Sequence, residues 1–317
     1  MQKKLIYLFI LIVSCNKLPN SMGKANEITI ISSKADKAII SPLIMPLFET
    51  SINTPVEEDI YVVNWINPID FNEYMKYKNI LIISVDNPID STIDILNEKF
   101  FNNAKNEDLF SLYNLYASNQ LIIPIKAYDS IELYSLVQDY GQWVIEEIDK
   151  NIENNIFSSY MLSNVNDEIS SLVLNKYKLN IHIDENFTII KNKNDFLWIG
   201  RGYPYRWLSF SIIDKIDFNK DKWGSYISNI SFNIPGLNIS DLFRKEYEMK
   251  NYKILTGVYD YDVSETGGPF FVYIFENYVD NKVILVSGFV SNPGKDKFLL
   301  LKQLELIIKN NKGINYE

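Results

Sequence analysis

The stretch 79–85, NILIISV, is nearly all apolar, which is typical of a β-strand buried on both faces. Strands and amphipathic helices alternate on either side of it. Strands are predicted at 27–33, 59–66 and 120–126, and helices at 35–49, 69–78, 91–104 and 131–158. This alternation predicts an α/β domain over residues 27–162, with a mixed or mainly parallel sheet covered by helices. Pro124 predicts that its strand lies at an edge or a bulge, because proline has no N–H to donate.

The segment from residue 163 to residue 317 has a different pattern of predicted secondary structure. Strands follow one another through short turns rich in Asn, Lys and Gly, which predicts antiparallel hairpins. Strands are predicted at 187–192, 195–201, 205–214, 252–261, 269–276 and 282–290, and helices at 166–179, 219–231 and 296–310. We therefore expect a second, α+β domain with an antiparallel sheet covered by helices.

The composition excludes several kinds of site. The chain has 317 residues, one cysteine, one histidine and a net charge of −9. A single cysteine excludes an internal disulfide and, with a single histidine, the common Cys/His zinc sites. The acidic balance argues against nonspecific binding to nucleic acid. Because GxGxxG and phosphate-loop spacings are also missing, we expect no metal, no cofactor and no nucleic-acid partner.

The amino terminus, MQKKLIYLFILIVSC at 1–15, has two lysines, a short apolar run and a small residue before a cysteine. This order is that of a secretory signal, and the apolar run is shorter than the roughly 20 residues that span a bilayer. Ile12-Val13-Ser14-Cys15 resembles the lipobox of bacterial lipoproteins. The resemblance implies a signal peptide at 1–14 and lipidation of Cys15, with acyl chains such as palmitate. The alternative is an ordinary buried cysteine in an anchor helix.

The segment after the cysteine predicts where the protein is held. Residues 15–26 are expected to form a lipidated tether that stays extended and solvated, because they are polar and contain Pro and Gly. Residue 16 is Asn rather than Asp, and the lipoprotein resemblance then implies the outer membrane more than the inner one. We therefore expect a lipid-anchored protein of the cell envelope.

Several segments together resemble one family. Near the carboxyl end they are Gly267-Gly268-Pro269-Phe270, Gly288-Phe289-Val290, Pro293, Lys297 and Gln303-Leu304-Glu305; nearer the start they are 18–24, 79–82 and 117–120. These segments resemble an uncharacterised bacterial lipoprotein family, domain of unknown function 4837. The resemblance implies an envelope lipoprotein and no activity, because none is established for the family. The second half is also similar to the PsbP-like sandwich, whose members are mostly non-enzymatic binding or assembly proteins.

Residues 200–207, GRGYPYRW, concentrate aromatic side chains around two arginines. Arginine beside tyrosine and tryptophan is typical of interface hot spots and suits recognition of carboxylates or sugars. The predicted binding surface comprises Arg201, Tyr203, Tyr205, Arg206 and Trp207. The alternative is a hairpin whose aromatic rings pack on the sheet.

Three further features are weaker candidates. Gly267 and Gly268 permit close backbone approach, which predicts either a loop at the same binding surface or a tight strand connection. Asp260 and Asp262 are two apart and could share one strand face as paired carboxylates, but their surroundings lack the calcium-loop pattern and favour a solvated turn. His182 alternates with apolar residues, which predicts an exposed strand position rather than a catalytic base.

The favoured hypothesis is a membrane-anchored, non-enzymatic lipoprotein that binds a ligand or an envelope protein partner. Its basis is the lipobox, the lack of a catalytic motif and the family resemblance. The alternative is an envelope hydrolase that uses paired carboxylates, possibly on glycans. A purely structural tether is a third hypothesis, which predicts no pocket.

Lipidation of Cys15 has a direct test. Radiolabelled palmitate should enter the wild-type protein in growing cells, because the thiol and the new amino terminus are the acceptors in the lipobox reaction. The Cys15→Ala variant should remain unlabelled. Equal labelling of the two proteins would contradict the lipobox assignment.

Overall fold

A computed structural model describes the chain over residues 17–54, 56–85, 91–102, 104, 107–249, 252–279 and 281–310. The predicted signal peptide at 1–14 and the predicted lipidation site Cys15 lie outside the described residues. The described part contains two large sheets, and each is the centre of one structural unit.

The first unit contains seven strands and four α-helices in its described part. The strands are β1 (Glu27–Ile31), β2 (Ser51–Ile52), β3 (Glu58–Asp59), β4 (Val62–Ile66), β5 (Asn79–Val85), β6 (Leu112–Tyr113) and β7 (Leu121–Ala127). The helices are α1 (Lys37–Ile44), α2 (Phe71–Tyr74), α3 (Ser91–Phe101) and α4 (Ser130–Tyr160). Asp129 caps the start of α4, because its carboxylate accepts from the N–H groups of Ile131 and Glu132.

The sheet of the first unit has the strand order β4-β1-β5-β7-β6, in which only β6 is antiparallel. Strand β5 is buried along its whole length. Ile80 and Ile82 pack with α3 on one face, while Leu81 and Ile83 pack with α1 and α4 on the other. The predicted parallel-rich α/β sheet with helical cover is therefore confirmed, and β5 is apolar on both faces because both faces are covered.

The second unit contains eight strands and four helices in its described part. The strands are β8 (Thr188–Lys193), β9 (Phe196–Arg201), β10 (Tyr205–Asp214), β11 (Leu237–Ile239), β12 (Lys245–Glu248), β13 (Lys253–Tyr261), β14 (Thr266–Val279) and β15 (Lys282–Ser291). The helices are α5 (Asp167–Tyr177), α6 (Lys215–Lys220), α7 (Lys222–Asn233) and α8 (Phe298–Lys309). All pairings are antiparallel, in the order β11-β13-β14-β15-β10-β9-β8, with β12 also beside β13. This confirms the predicted antiparallel, helix-covered sheet.

The two faces of the second sheet are covered by different helices. Phe271 and Tyr273 face α5 and α8, whereas Phe270 and Val272 face α6 and α7. Side chains alternate between the faces along each strand, so every buried strand contributes to two cores. That double burial explains why strands such as β15 contain almost no charged residue.

Several elements differ from the sequence prediction. The helix predicted at 69–78 is reduced to the single turn α2, preceded by a 3₁₀ turn at Pro68–Asp70. The short hairpin β2–β3 and the strands β11 and β12 were not predicted, because two to four residues are too few to show a period. Among the described residues, no helix is both long and apolar enough to cross a membrane.

Residues 19–24, part of the predicted tether, are mostly exposed but pair with the first unit through their backbone. The N–H of Ser118 donates to Pro19 O (2.8 Å), and the N–H of Met22 donates to Lys76 O (2.9 Å). The N–H of Lys78 in turn donates to Met22 O (3.1 Å). These residues therefore belong to the first unit, because backbone pairing with the loops before β5 and β7 outweighs their polar composition.

Buried amide side chains join this segment to the sheet. The Asn79 side chain, 1% exposed, donates to Ala25 O (2.8 Å) and Glu27 O (3.0 Å). It also accepts from Asn151 on α4 (2.8 Å), and Asn155 one turn later donates to Asn119 O (2.9 Å). A single network thus fixes the start of β5, the amino-terminal segment and α4.

Replacing Asn79 should test this network. Asn79→Ala removes a donor from the Ala25 and Glu27 carbonyls and leaves the Asn151 side-chain amide with Lys78 O as its acceptor, so we expect the free energy of unfolding to fall by about 2–3 kcal/mol. Urea titration of the purified protein followed by tryptophan fluorescence measures the change. The matched control is Asn72→Ala on the exposed side of α2, which should change stability little. Equal effects at both positions would show that the network is unimportant.

Candidate functional site

The predicted binding residues at 201–207 lie on the hairpin β9–β10. Arg206 is directly opposite Arg201 in the ladder, so both arginines lie on the same face of the sheet. Tyr205 and Trp207 alternate with Arg206 and point to the opposite face. The structure therefore brings the two arginines together, but it does not form one surface from all five residues.

The arginines belong to a mostly buried polar network. Arg201 Nη1 donates to the Asp184 carboxylate at 2.9 Å, and that carboxylate also accepts from the N–H and the side chain of Asn186. Arg206 is 8% exposed and donates to Gln303 on α8. Burial, reinforced by the neighbouring positive charge of Arg201, lowers the pKa of Arg206 to about 10.

Asp184 is the central residue of this network and was not predicted. Its side chain is 1% exposed, and its backbone N–H donates to the Tyr160 hydroxyl (3.1 Å), which donates to His182 O (2.6 Å). Burial, with the Asp184 carboxylate nearby, raises the pKa of Tyr160. The network thus joins the end of α4, residues 182–184 and the second sheet, which is a structural role.

The aromatic residues of the hairpin form a cluster on the other face. Trp207 is 7% exposed and lies edge-on to Trp198, with ring centroids 5.6 Å apart. Tyr205 and Tyr261 lie 6.0 and 5.4 Å from Trp207. Tyr203, in the turn, is 57% exposed. Most of this aromatic set therefore packs on the sheet, and only Tyr203 is freely accessible.

The predicted glycines lie within strand β14 rather than in a loop. Gly268 is opposite Tyr259, and a Cβ at Gly268 would lie 2.1 Å from Val290 O. The backbones therefore approach too closely for a side chain, as in a tight strand connection. Gly267 lines a 460 Å³ cavity that also includes Lys295, whose ammonium group lies 5.8 Å from the Tyr203 ring centre.

His182 differs from its prediction as an exposed strand residue. It is half-buried, lies outside any strand and lines a 380 Å³ cavity beside α5. Its ring is edge-on to Tyr160 (5.1 Å between centres), and Ser163 Oγ is 3.5 Å from Nε2.

Asp260 lies on β13 and Asp262 follows that strand. Within the described residues, no three His, Cys, Asp or Glu side chains are grouped so as to hold a metal ion.

A groove of about 470 Å³ lies where the two units meet, and we call it the interdomain groove. Its walls are the hairpin β2–β3, the strands β12 to β14 and helix α8. The apolar lining residues include Ile52, Ile60, Phe243, Tyr247, Met249, Ile254, Pro269 and Leu301; the charged ones are Lys245, Lys302, Glu305 and Lys309. Its size and its position between units are those of a small-molecule site, which typically measures roughly 300–1,000 Å³.

Phe243 gives the groove its most unusual feature. Its φ is 66°, in the left-handed region that a bulky side chain rarely adopts, and it is 50% exposed. The neighbouring Arg244 holds this loop in place. Its Nε donates to Ser240 O (3.0 Å), and its guanidinium lies 5.1 Å from the Trp223 ring centre. The loop therefore holds an apolar ring in an unfavourable backbone conformation at the groove.

The charged wall of the groove is an ion-pair network. Lys302 Nζ lies 3.4 Å from Glu153 and 3.3 Å from Glu305, and Lys309 Nζ lies 3.5 Å from Glu153. Burial opposes the charge of Lys302, but Glu305 and Glu153 outweigh it and raise the pKa of Lys302. Both carboxylates of this network are therefore engaged by lysine ammonium groups.

Comparisons with known proteins give two partial family matches. Residues 21–158 match the family described as Domain of unknown function (DUF8532), and residues 236–310 match Domain of unknown function (DUF4837). The resemblance predicted from the sequence is therefore confirmed for the carboxyl-terminal part, while the segments at 79–82 and 117–120 fall in the other match. No curated protein matches the chain.

Similar solved structures are distant. A protein of Bacteroides thetaiotaomicron is 8% identical with a TM-score of 0.28, over 43% of this chain and 45% of its own. The Ran-binding protein Mog1p of Saccharomyces cerevisiae is 7% identical with a TM-score of 0.29, over 41% of this chain and 86% of its own. Human StAR-related lipid transfer protein 5 is 8% identical with a TM-score of 0.21, over 45% and 94%. The chain spans less than half of the Bacteroides protein, and none of these similarities is close enough to indicate function.

The buried arginine network predicts a large loss of stability in Asp184→Asn. Removing the carboxylate leaves two arginines without their negative partner, so we expect the free energy of unfolding to fall by about 3 kcal/mol or more. Glu185→Gln, at the exposed neighbouring position, should change it by less than about 1 kcal/mol. Denaturant midpoints of the two variants measure this difference. If Asp184→Asn were as stable as Glu185→Gln, the network would be unimportant for the fold.

Proposed function

We propose that this protein is a cell-envelope lipoprotein, anchored through Cys15, that binds a mainly apolar ligand in the interdomain groove without catalysis. The observation that carries the binding proposal is Phe243, held at the groove with φ of 66° and half of its surface exposed. Strained residues persist where the surrounding structure fixes them, and they are concentrated at binding and active sites.

The lining of the groove supports an apolar ligand. Tyr247 and Met249 are 42% and 49% exposed beside Phe243. Ile60 and Leu301 complete the lining from the first unit and from α8. Transfer of an apolar ligand from water to such a surface is favourable in proportion to the area it covers. Lys245 lies at the same groove and makes no ion pair among the described residues, so it is available to a polar end of the ligand.

A binding role fits the groove better than hydrolysis. The single carboxylate that lines it, Glu305, is engaged by the Lys302 ammonium (3.3 Å), so the lining offers no pair of carboxylates among the described residues. A purely structural tether would require no exposed ring in a strained loop. The lipobox supports the anchor, and the family matches assign no activity that would conflict with it.

The neutral fluorophore N-phenyl-1-naphthylamine tests the groove. We expect it to bind the wild-type protein with increased fluorescence, and we expect Phe243→Ser to weaken binding by roughly tenfold, the equivalent of losing about 1.4 kcal/mol of apolar contact. Phe232→Ser is the matched control, because Phe232 is 74% exposed on α7 and does not line the groove.

Two outcomes would refute the binding proposal. One is binding that is unaffected by Phe243→Ser, and the other is an equal loss in both variants. Denaturant midpoints should be recorded for each variant, so that a folding defect is distinguished from loss of the site. A cross-linked envelope protein at position 243 in cells would instead identify a protein partner as the occupant.

A further inference from the structure

The amino-terminal segment leaves little chain between Cys15 and the folded body. Both the N–H and the hydroxyl of Ser118 donate to Pro19 O, at 2.8 and 3.2 Å, and the N–H of Ser21 donates to Ser118 O (3.3 Å). The four Cα-to-Cα steps from Cys15 to Pro19 span at most about 14 Å. A lipid on Cys15 therefore keeps the turn at residues 114–119 close to the bilayer surface.

This side of the first unit contains few carboxylates, although the whole chain has a net charge of −9. Residues 109–125 and 154–166 contain no charged residue, and residues 17–26 contain two lysines and no acid. Two carboxylates contact this segment and both are engaged by protein donors: Glu27 accepts from the Lys24 N–H (3.1 Å) and from Asn64 (2.6 Å), and Asp296 accepts from Lys24 Nζ (2.9 Å). Anionic lipid would therefore meet little repulsion here, in contrast to most of the acidic surface.

Exposed apolar side chains lie on the same side. Leu18 and Leu115 are 38% and 43% exposed. Asn155, in the second-last turn of α4, donates to Asn119 O (2.9 Å), and Leu162, two residues after the helix ends, is 87% exposed. Leucines of this kind enter the boundary between headgroups and acyl chains favourably.

We propose that the turn at 114–119, with Leu18 and Leu115, forms a membrane-facing surface that rests on the bilayer carrying the lipid anchor. This proposal depends on the proposed lipidation of Cys15. It also gives the first unit an orientation. The turn lies at the amino ends of the parallel strands, so their carboxyl ends face away from the membrane.

Site-specific fluorescence tests the orientation. Cys15 is the single cysteine and is consumed by lipidation, so a thiol introduced by Leu115→Cys is unique and can be labelled with an environment-sensitive nitrobenzoxadiazole group. The labelled full-length lipoprotein is incorporated into vesicles of phosphatidylethanolamine and phosphatidylglycerol. A phospholipid with a nitroxide near its headgroup then serves as the quencher.

Ile69→Cys is the matched control, since Ile69 is 73% exposed just after the carboxyl end of β4. We expect severalfold stronger quenching and a blue-shifted emission at position 115 compared with position 69. Leu162→Cys, as a second variant, should be quenched more than position 69.

The failures of the two proposals are distinguishable. If the protein neither incorporates palmitate nor floats with vesicles, the anchor itself is refuted, and the orientation with it. If the protein floats but the label at position 69 is quenched as strongly as that at position 115, only the membrane-facing surface is refuted.

Discussion

The burial of helix α8 from two sides is the constraint on which the arrangement of the molecule depends. Leu304, Ile307 and Ile308 belong to the core of the second unit, whereas Leu299 packs against the core of the first. The carboxylate of Glu58 accepts from the N–H groups of Lys297 (2.6 Å) and Phe298 (2.8 Å) at the start of the helix. A carboxylate satisfies free N–H groups there and interacts favourably with the helix dipole. The first unit therefore caps a helix that belongs mainly to the second.

Because α8 is held by both units, the interdomain groove is formed by residues of both. The cap joins residues 240 positions apart in the chain. Lys302 and Lys309 meet Glu153 of α4 from the same helix, which fixes α8 against the first unit further along. The groove wall contributed by α8 consists of Lys302, Glu305 and Lys309 together with Leu301, which also packs against the core of the second unit. Its geometry consequently requires that both sheets be folded and in contact, and substitutions at the α4–α8 contact should act on the groove as well as on stability.

The sequence was sufficient for the architecture and insufficient for the site. The run at 79–85 and the succession of hairpins after residue 187 identify the two sheets, because burial on both faces leaves a continuous apolar signal. The residues at 201–207 do not form one surface, because Tyr205 and Arg206 are neighbours in a strand and must point to opposite faces. The groove walls come from segments near residues 50–60, 243–273 and 301–309, and no local pattern joins them. The sequence did not predict Asp184, because its partners are distant in the chain. Arg201 lies on β9 and Tyr160 lies at the end of α4.

The amino-terminal segment would couple the proposed lipid anchor to the fold. Its backbone pairs with Ser118 and with the loop before β5, and Asn79 at the start of β5 donates to Ala25 O (2.8 Å) and Glu27 O (3.0 Å). Asn151 binds Asn79 (2.8 Å), so α4 is part of the same network. A force on the lipid would therefore reach the most buried strand of the first unit and the helix that contacts α8, rather than a loose terminal segment. Because each amide of the network is buried, moving the segment would leave polar groups unpaired, which costs about 1–3 kcal/mol for each group. Attachment of residues 19–27 to the sheet is thus the physical reason for expecting that the proposed lipidation of Cys15 would give the protein a fixed orientation at the membrane.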